Sequence, residues 1–225
     1  SDVLLEAEAL HLTVSVSSHR CEVVNEWIDC LLNGNRFEAR KKANDIPDFR
    51  VFMTRSLDDA RDWLNTSTRG NRRCGLVASS GARRLRGYGL GVNIGATELD
   101  AVKDYFLAPR GDIRSSYTLE VTINEYGCQG LELDNVGLCW GNDLTWGEGG
   151  GWLYRRFMGS SWQAVRNRER SRNILNTYRV LMSRPRDSLV IWVPPGDPND
   201  PTRPPDRMDD TARFLKQCGV RDLPR

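Results

Sequence analysis

The 225-residue sequence contains no Gly-Lys pair, and therefore no phosphate-cradling loop of the form G-x-x-x-x-G-K-S/T. Its only histidines are His11 and His19, both near the N-terminus, which leaves no plausible Ser-His-Asp set. Six cysteines, at 21, 30, 74, 128, 139 and 218, form no C-x-x-C, so no zinc-site pattern is present. No apolar run approaches the about 20 residues that a membrane helix needs. The opening SDVLLEAEALHLTV has neither the basic start nor the apolar segment of a secretory signal. These absences argue against a self-contained hydrolase, a metal enzyme and a membrane protein. They lead to the expectation of a cytoplasmic chain with reduced, mostly buried thiols. An initiator Met is also lacking, so Ser1 reads as a boundary within something longer.

Lysine is scarce as well. Only Lys41, Lys42, Lys103 and Lys216 occur among the 32 basic residues, and the rest are arginines. Arginine bonds phosphate bidentately and stacks on bases, although a coding bias explains a high count equally well. Local clusters therefore carry more weight than the total. The formal net charge of +2 selects no partner, and 39% hydrophobic with 28% charged residues fits a soluble globular chain with a real core.

Short apolar runs alternate with helical patterns. Strands are expected at 12–16, 49–53, 74–78, 119–123, 136–140 and 189–193. Helices are expected at 20–33, 56–66, 80–87, 97–106, 161–183 and 206–218. Runs such as CGLVA, VGLCW and LVIWV are apolar throughout, as in strands covered on both faces. The alternation predicts a parallel α/β sheet flanked by helices. Residues 108–116, the glycine-rich 141–151 and the proline-rich 194–206 read as weakly structured, the last wrapping the surface to deliver a final helix. The run GYGLGVNIG at 87–95 reads as a loop, and the acid pairs Asp58-Asp59 and Asp209-Asp210 as solvated helix faces.

Two stretches suit an anion. In EYGCQGLELD, Gly127 and Gly130 permit a tight turn whose N–H groups suit an oxyanion, with Gln129 and Glu132 beside it. An ordinary strand–turn–strand corner is the alternative. In NTYRVLMSRPRDSLVIWVP, residues 176–194, Arg179, Arg184 and Arg186 surround one helix-to-strand corner. In a parallel fold that corner lies at the edge away from the usual ligand loops, facing any neighbouring domain. An arginine there suits an arginine finger, or simply a helix C-terminus whose dipole favours it. Ser79, Ser80, Arg83 and Arg84 follow a strand at a helix start and are candidates for nucleic-acid phosphate contact. The basic RRF at 155–157 and RNRERSR at 166–172 have Trp152, Tyr154 and Trp162 nearby. They suit a single strand, while a solvated helix face accounts for RNRERSR as well.

GCQGLELDNVGLCWG resembles motif V of superfamily 1 helicases, and NTYRVLMSRPRDSLVIWVP resembles motif VI. In that order the pair looks most like the Schlafen group 3-like DNA/RNA helicase domain. RRCGLVASSGARRLRGYGL, IWVPPGDPNDPTRPPDRMDDTARFLKQCGV and SVSSHRCEVVNEWIDCLL are similar to the same family, and together they cover nearly the whole chain. The resemblance implies a single RecA-like (P-loop NTPase-type) domain over 1–225 that acts as a second motor domain without its own P-loop. Residues 1–16 would lead in from a missing N-terminal RecA-like domain, and 194–225 would form a C-terminal wrap and helix. ATP with Mg2+ would bind mainly to that missing domain. Arg184 would be the finger on the γ-phosphate, with Arg20 of motif IV also near the phosphates. Gln129, Gly130 and Glu132 would form the motif V turn at the nucleotide, with Arg179 in the same nucleotide-binding set. The implied partner is single-stranded DNA or RNA. Pro185, where Ala or Gly is usual, and Ser17, where relatives often carry a second arginine, depart from the pattern. A non-catalytic nucleic-acid-binding or interaction module on the same fold is the alternative reading.

Overall fold

The computed structural model describes residues 16–224 apart from 47, 91, 92 and 96, and describes no side chains for 16–21 and 93. In chain order the elements begin with α1 (Val16–Leu32), α2 (Arg36–Asp45), β1 (Val51–Thr54), α3 (Leu57–Ser67) and β2 (Cys74–Ala78). There follow β3 (Asn93–Ile94), α4 (Leu99–Leu107), β4 (Thr122–Ile123), β5 (Leu133–Cys139), β6 (Leu144–Gly147), β7 (Gly151–Met158) and β8 (Ser161–Ala164). The chain closes with α5 (Arg168–Met182), β9 (Pro185–Trp192), α6 (Pro205–Gln217) and β10 (Arg221–Asp222). Seven strands form one sheet in the order β10-β1-β9-β5-β2-β4-β3, and every described pairing in it is parallel. This is the α/β, RecA-like arrangement.

Alternation along β9 separates the two faces of the sheet. Leu189, Ile191 and Val193 belong to the larger apolar cluster with Trp27, Leu31, Tyr178, Leu181 and Phe214. Val190 and Trp192 belong to the smaller one with Ala60, Leu64 and Leu76. Thus α1, α5 and α6 cover one face and α3 the other. Both faces are dry, which is why the strand sequences are apolar without interruption. Gly137 in β5 makes room for α3: a Cβ there would lie 2.5 Å from Leu76 and 2.8 Å from Leu64.

Local chemistry sets most boundaries. α1 ends in a Schellman arrangement, with Gly34 N–H on the Leu31 carbonyl and Asn35 N–H on that of Cys30. Ser56 caps α3 by accepting from Asp59 N–H at 3.1 Å. Cys74, Cys128, Cys139 and Cys218 are buried free thiols, and burial pushes Cys128 up to about 11 and Cys218 up to about 12.

Several expectations need correction. The helix predicted at 161–183 begins only at Arg168, capped by Asn167, because 161–164 is a strand. The glycine-rich 141–151 includes β6, the first strand of an antiparallel β6-β7-β8 sheet. The segment 80–87 forms a 3-10 turn, Arg83–Tyr88. Only Thr122–Ile123 of the strand at 119–123 is extended, since Leu119 is left-handed with φ 55°. Val16 opens α1, and 12–15 lie outside the described residues. The unforeseen α2 is almost wholly polar, burying only Ala39 and Ala43.

Phe214 of α6 stacks on Trp146 of β6 at 3.6 Å and meets Trp152 of β7 edge-on, so it joins the three-stranded sheet to the main domain. Phe214→Ala should lower the unfolding free energy by about 3–5 kcal/mol, measured by urea denaturation with the m-value checked for constancy. A loss under about 1 kcal/mol would mean that this sheet contributes little to the cooperative unit.

Candidate functional site

In an all-parallel sheet the strand starts share one edge and the strand ends the other. The arginine corner lies on the starting edge. Ser183 closes α5, its N–H reaching the carbonyls of Arg179, Val180 and Leu181. Pro185 then begins β9 opposite Leu133. A proline is tolerated at a first strand position, and it disfavours helical backbone at Arg184. The turn formed by Pro185 therefore marks the place where the helix stops. One extra residue of β9 bulges between the Leu133 and Asn135 pairings, and there Arg186 and Asp187 take separate partners, Glu132 and Arg50.

Around the corner lies a cleft of about 990 Å3. Val24, Asn25 and Asp29 of α1 line it together with Arg179, Ser183, Arg184 and Arg186. Trp27, Phe49, Val51 and Leu189 line its apolar part. The four arginines of the lining face three acids, Asp29, Glu132 and Asp187. Arg179 pairs with Asp29 and Arg186 with Glu132, each at 2.8 Å. Arg50 forks onto both oxygens of Asp187, which also accepts from Arg72 at 2.7 Å. Arg184 differs. Its Nε donates to the Val180 carbonyl at 3.0 Å, Nη2 to Ser183 Oγ at 3.1 Å and Nη1 to the Leu131 carbonyl at 3.4 Å. Among the described residues no carboxylate neutralises it, so its orientation is fixed and its charge remains.

The turn before β5 meets this arginine. Gly130 is left-handed, φ 75°, with nothing within 4 Å of a Cβ position, so the backbone alone demands glycine. Gln129 and Gly130 are exposed, and their N–H groups have no acceptor among the described residues. The N–H of Gly127, by contrast, is taken by Asn124 Oδ1 at 3.1 Å. Arg20 lies in the first turns of α1, one turn before the cleft residue Val24, and its side chain falls outside the described residues.

The residues singled out for nucleic-acid contact sit at the opposite edge. Ser79 is buried, its hydroxyl donating to Asp143 Oδ2 at 2.6 Å. Ser80 donates its N–H and hydroxyl to Glu125, at 2.9 and 2.7 Å. Arg84 bonds Thr202 and Asp200 and covers the Phe157 ring. Arg83 is exposed. Within RRF, Arg155 is buried against Thr145 rather than displayed, and burial pushes its pKa down to about 10.

Motif reading missed the carboxylate network at this edge. Tyr178 OH donates to Asp143 Oδ1 at 2.8 Å, and Thr177 Oγ1 to Glu125 at 3.2 Å, tying α5 to the ends of β2, β4 and β5. The chain separations of 35 and 52 positions leave no local signal. Among the described residues no three His, Cys, Asp or Glu side chains gather as a metal site. None of the described helices is long and apolar enough to cross a membrane.

A fully parallel, two-faced sheet with an arginine-bearing starting edge defines the chain as a RecA-like α/β domain. The model of the Schlafen group 3, DNA/RNA helicase domain matches residues 2–195, so the chain belongs to that family. No curated protein and no solved structure matches it.

Burial raises the pKa of Asp143 against the opposing hydroxyl bonds from Ser79 and Tyr178, and Glu125 nearby adds to the rise. A carboxyl raised on folding holds its proton more tightly in the native state. Its contribution is full below the unfolded carboxylate value of about 3.9 and is lost as pH rises through the native value. Urea unfolding across pH should therefore show wild type losing stability relative to Asp143→Asn as pH rises through this range. The opposite slope would show that hydroxyl bonding outweighs desolvation.

Proposed function

We propose that the chain is the C-terminal motor domain of an ATP-dependent DNA/RNA helicase or translocase, completing a nucleotide pocket with an N-terminal RecA-like domain. Membership of a DNA/RNA helicase-domain family supports the general class. The observation that carries the finer reading is Arg184, the one arginine lining the cleft that no described acid neutralises. At an effective dielectric of about 20, a unit charge about 4 Å away is worth about 4 kcal/mol, enough to favour charge developing on a transferring phosphoryl group.

In this reading Arg184 is the finger, and the free N–H groups of Gln129 and Gly130 lie beside the nucleotide. Glu132 and Arg179 act through their ion pairs, Glu132 holding Arg186 and Arg179 holding α1. Arg20 approaches the phosphates from α1. The guanidinium chemistry and the size of the cleft fit a triphosphate. Magnesium and the phosphate-cradling loop belong to the N-terminal domain, and the metal would supply charge neutralisation at the β- and γ-phosphates. The working compartment in this reading is the cytoplasm.

The isolated chain should show negligible ATPase activity, and joining it to its N-terminal domain should restore turnover. In the joined protein Arg184→Ala should reduce turnover by ~10³-fold or more, while Arg186→Ala, which removes an already neutralised charge, should stay within about tenfold. A loss below tenfold for Arg184→Ala would reject the finger role and leave a nucleic-acid-binding module.

A further inference from the structure

The three-stranded sheet β6-β7-β8 has two edges, and they are treated differently. At β6 the N–H of Trp146 is taken by Thr211 Oγ1 of α6 at 2.9 Å, and Phe214 stacks on the Trp146 ring. Beyond β8 (Ser161–Ala164) no strand pairs among the described residues. The register fixes which backbone groups that edge displays. Arg155 N–H reaches the Asp143 carbonyl on the β6 side, and Val165 N–H reaches the Tyr154 carbonyl across the hairpin. Backbone groups alternate along an antiparallel pair, so Ser161 and Gln163 bond inward, opposite Met158 and Arg156. Trp162 and Ala164 therefore turn their N–H and C=O groups outward. Neither N–H has an acceptor among the described residues.

The edge is held in place. Gly159, left-handed at φ 59°, makes the tight turn into it. Trp162 lies edge-on to Phe157 at 5.2 Å, and its Nε1 donates to the Thr202 carbonyl at 2.7 Å. Proteins commonly blunt an exposed edge with a charge or a proline, or by keeping it very short. The main sheet ends in β10 and β3, of two residues each. β8 is longer, and Ser-Trp-Gln-Ala carries neither charge nor proline.

Charge says what would fit there. From 155 to 172 six arginines stand against one acid, Glu169. Arg156, opposite Gln163, and Arg166, just past the strand end, are exposed, and neither meets an acid among the described residues. Phosphates of a nucleic-acid backbone offer acceptors to the outward N–H groups but nothing to the outward carbonyls. A peptide backbone answers both. A second copy of β8 would bring its own Arg156 and Arg166 against the same charges.

We propose that β8 takes an acidic, extended segment of a partner protein as a fourth strand. The segment's backbone pairs with Trp162 and Ala164, and its carboxylates lie over Arg156 and Arg166. This surface is separate from the nucleotide pocket and does not depend on the motor reading.

The test is fluorescence anisotropy of the 225-residue chain with a labelled, end-blocked heptapeptide alternating glutamate and valine. This peptide should bind at about 50 mM salt and weaken as salt rises. A lysine–valine heptapeptide, and a glutamate–valine heptapeptide N-methylated throughout, should each bind at least about tenfold more weakly. Ala164→Pro removes an outward N–H and none of the bonds to β7, so it should weaken binding roughly tenfold with Tm unchanged. Arg156→Ala/Arg166→Ala should weaken binding by roughly as much and flatten its salt dependence. Arg114→Ala, which removes an arginine already neutralised by Asp104 and Asp112, should change neither. If Ala164→Pro lowers Tm, the methylated peptide probes the same bonds with the chain intact. Absence of binding by wild type, equal binding of the three peptides, or wild-type affinity in both the Ala164→Pro and the double arginine variants would overturn the proposal. So would a wild-type dimer in analytical ultracentrifugation that Ala164→Pro makes monomeric, which would give the edge to a second copy.

Discussion

Every described pairing in the main sheet is parallel, and the chemistry of the molecule follows from that constraint. Parallel strands need crossover connections, so helices bury both faces and leave only the two edges for function. The edges also differ in kind. At one, helices end and strands begin, bringing Arg184 and the Gly130 turn together. At the other, strands end among hydroxyls and carboxylates, where Ser79, Ser80, Thr177 and Tyr178 bond Asp143 and Glu125.

The treatment of charge separates the edges further. The ion pairs at the starting edge are partly exposed, and pairs of that kind contribute only about 0.2–1 kcal/mol each. Their larger effect is to cancel the charge of Arg50, Arg179 and Arg186 in the cleft. Arg184 is held by two carbonyls and a hydroxyl, which fix a guanidinium without discharging it. A cleft of otherwise balanced charge therefore offers an arriving anion one aimed positive group.

Much of this frame was legible in the sequence, and the exceptions have physical reasons. The expected strand at 74–78 coincides with β2, and that at 189–193 covers the core of β9, because strands covered on both faces are apolar without interruption. The C-terminal end of α1 and the start of α3 are legible in Asn33-Gly34 and Ser56, whose capping chemistry is local, whereas α1 starts at Val16, ahead of the expected 20. α2 escaped because a helix burying two alanines has almost no apolar period, although Asn35 with Glu38 three residues on is a recognisable start. The β7-β8 hairpin escaped because the expected helix starts at 161, directly after Gly159-Ser160, the two-residue turn that joins the strands. At the candidate site the arginine corner was visible as a motif. Which arginines are neutralised was not, since Arg50 and Asp187 are 137 positions apart and Arg186 and Glu132 are 54.

One helix belongs to both edges. Near its end α5 carries Thr177 and Tyr178, bonded to Glu125 and Asp143 among the strand ends. About 6 Å further along the same axis the helix ends at Met182, and two residues later the chain delivers Arg184 to the strand starts. Tyr178 is fully buried, stacks obliquely on Trp140 at 4.5 Å and receives the Gly141 N–H on its hydroxyl. The helix therefore has little freedom to rotate beneath the corner. Arg179, paired with Asp29, ties it to α1, so the wall of the cleft and the corner are braced against each other. The hydroxyl and carboxylate bonds at one edge thus set the position of the unneutralised guanidinium at the other, which no single motif in the chain encodes.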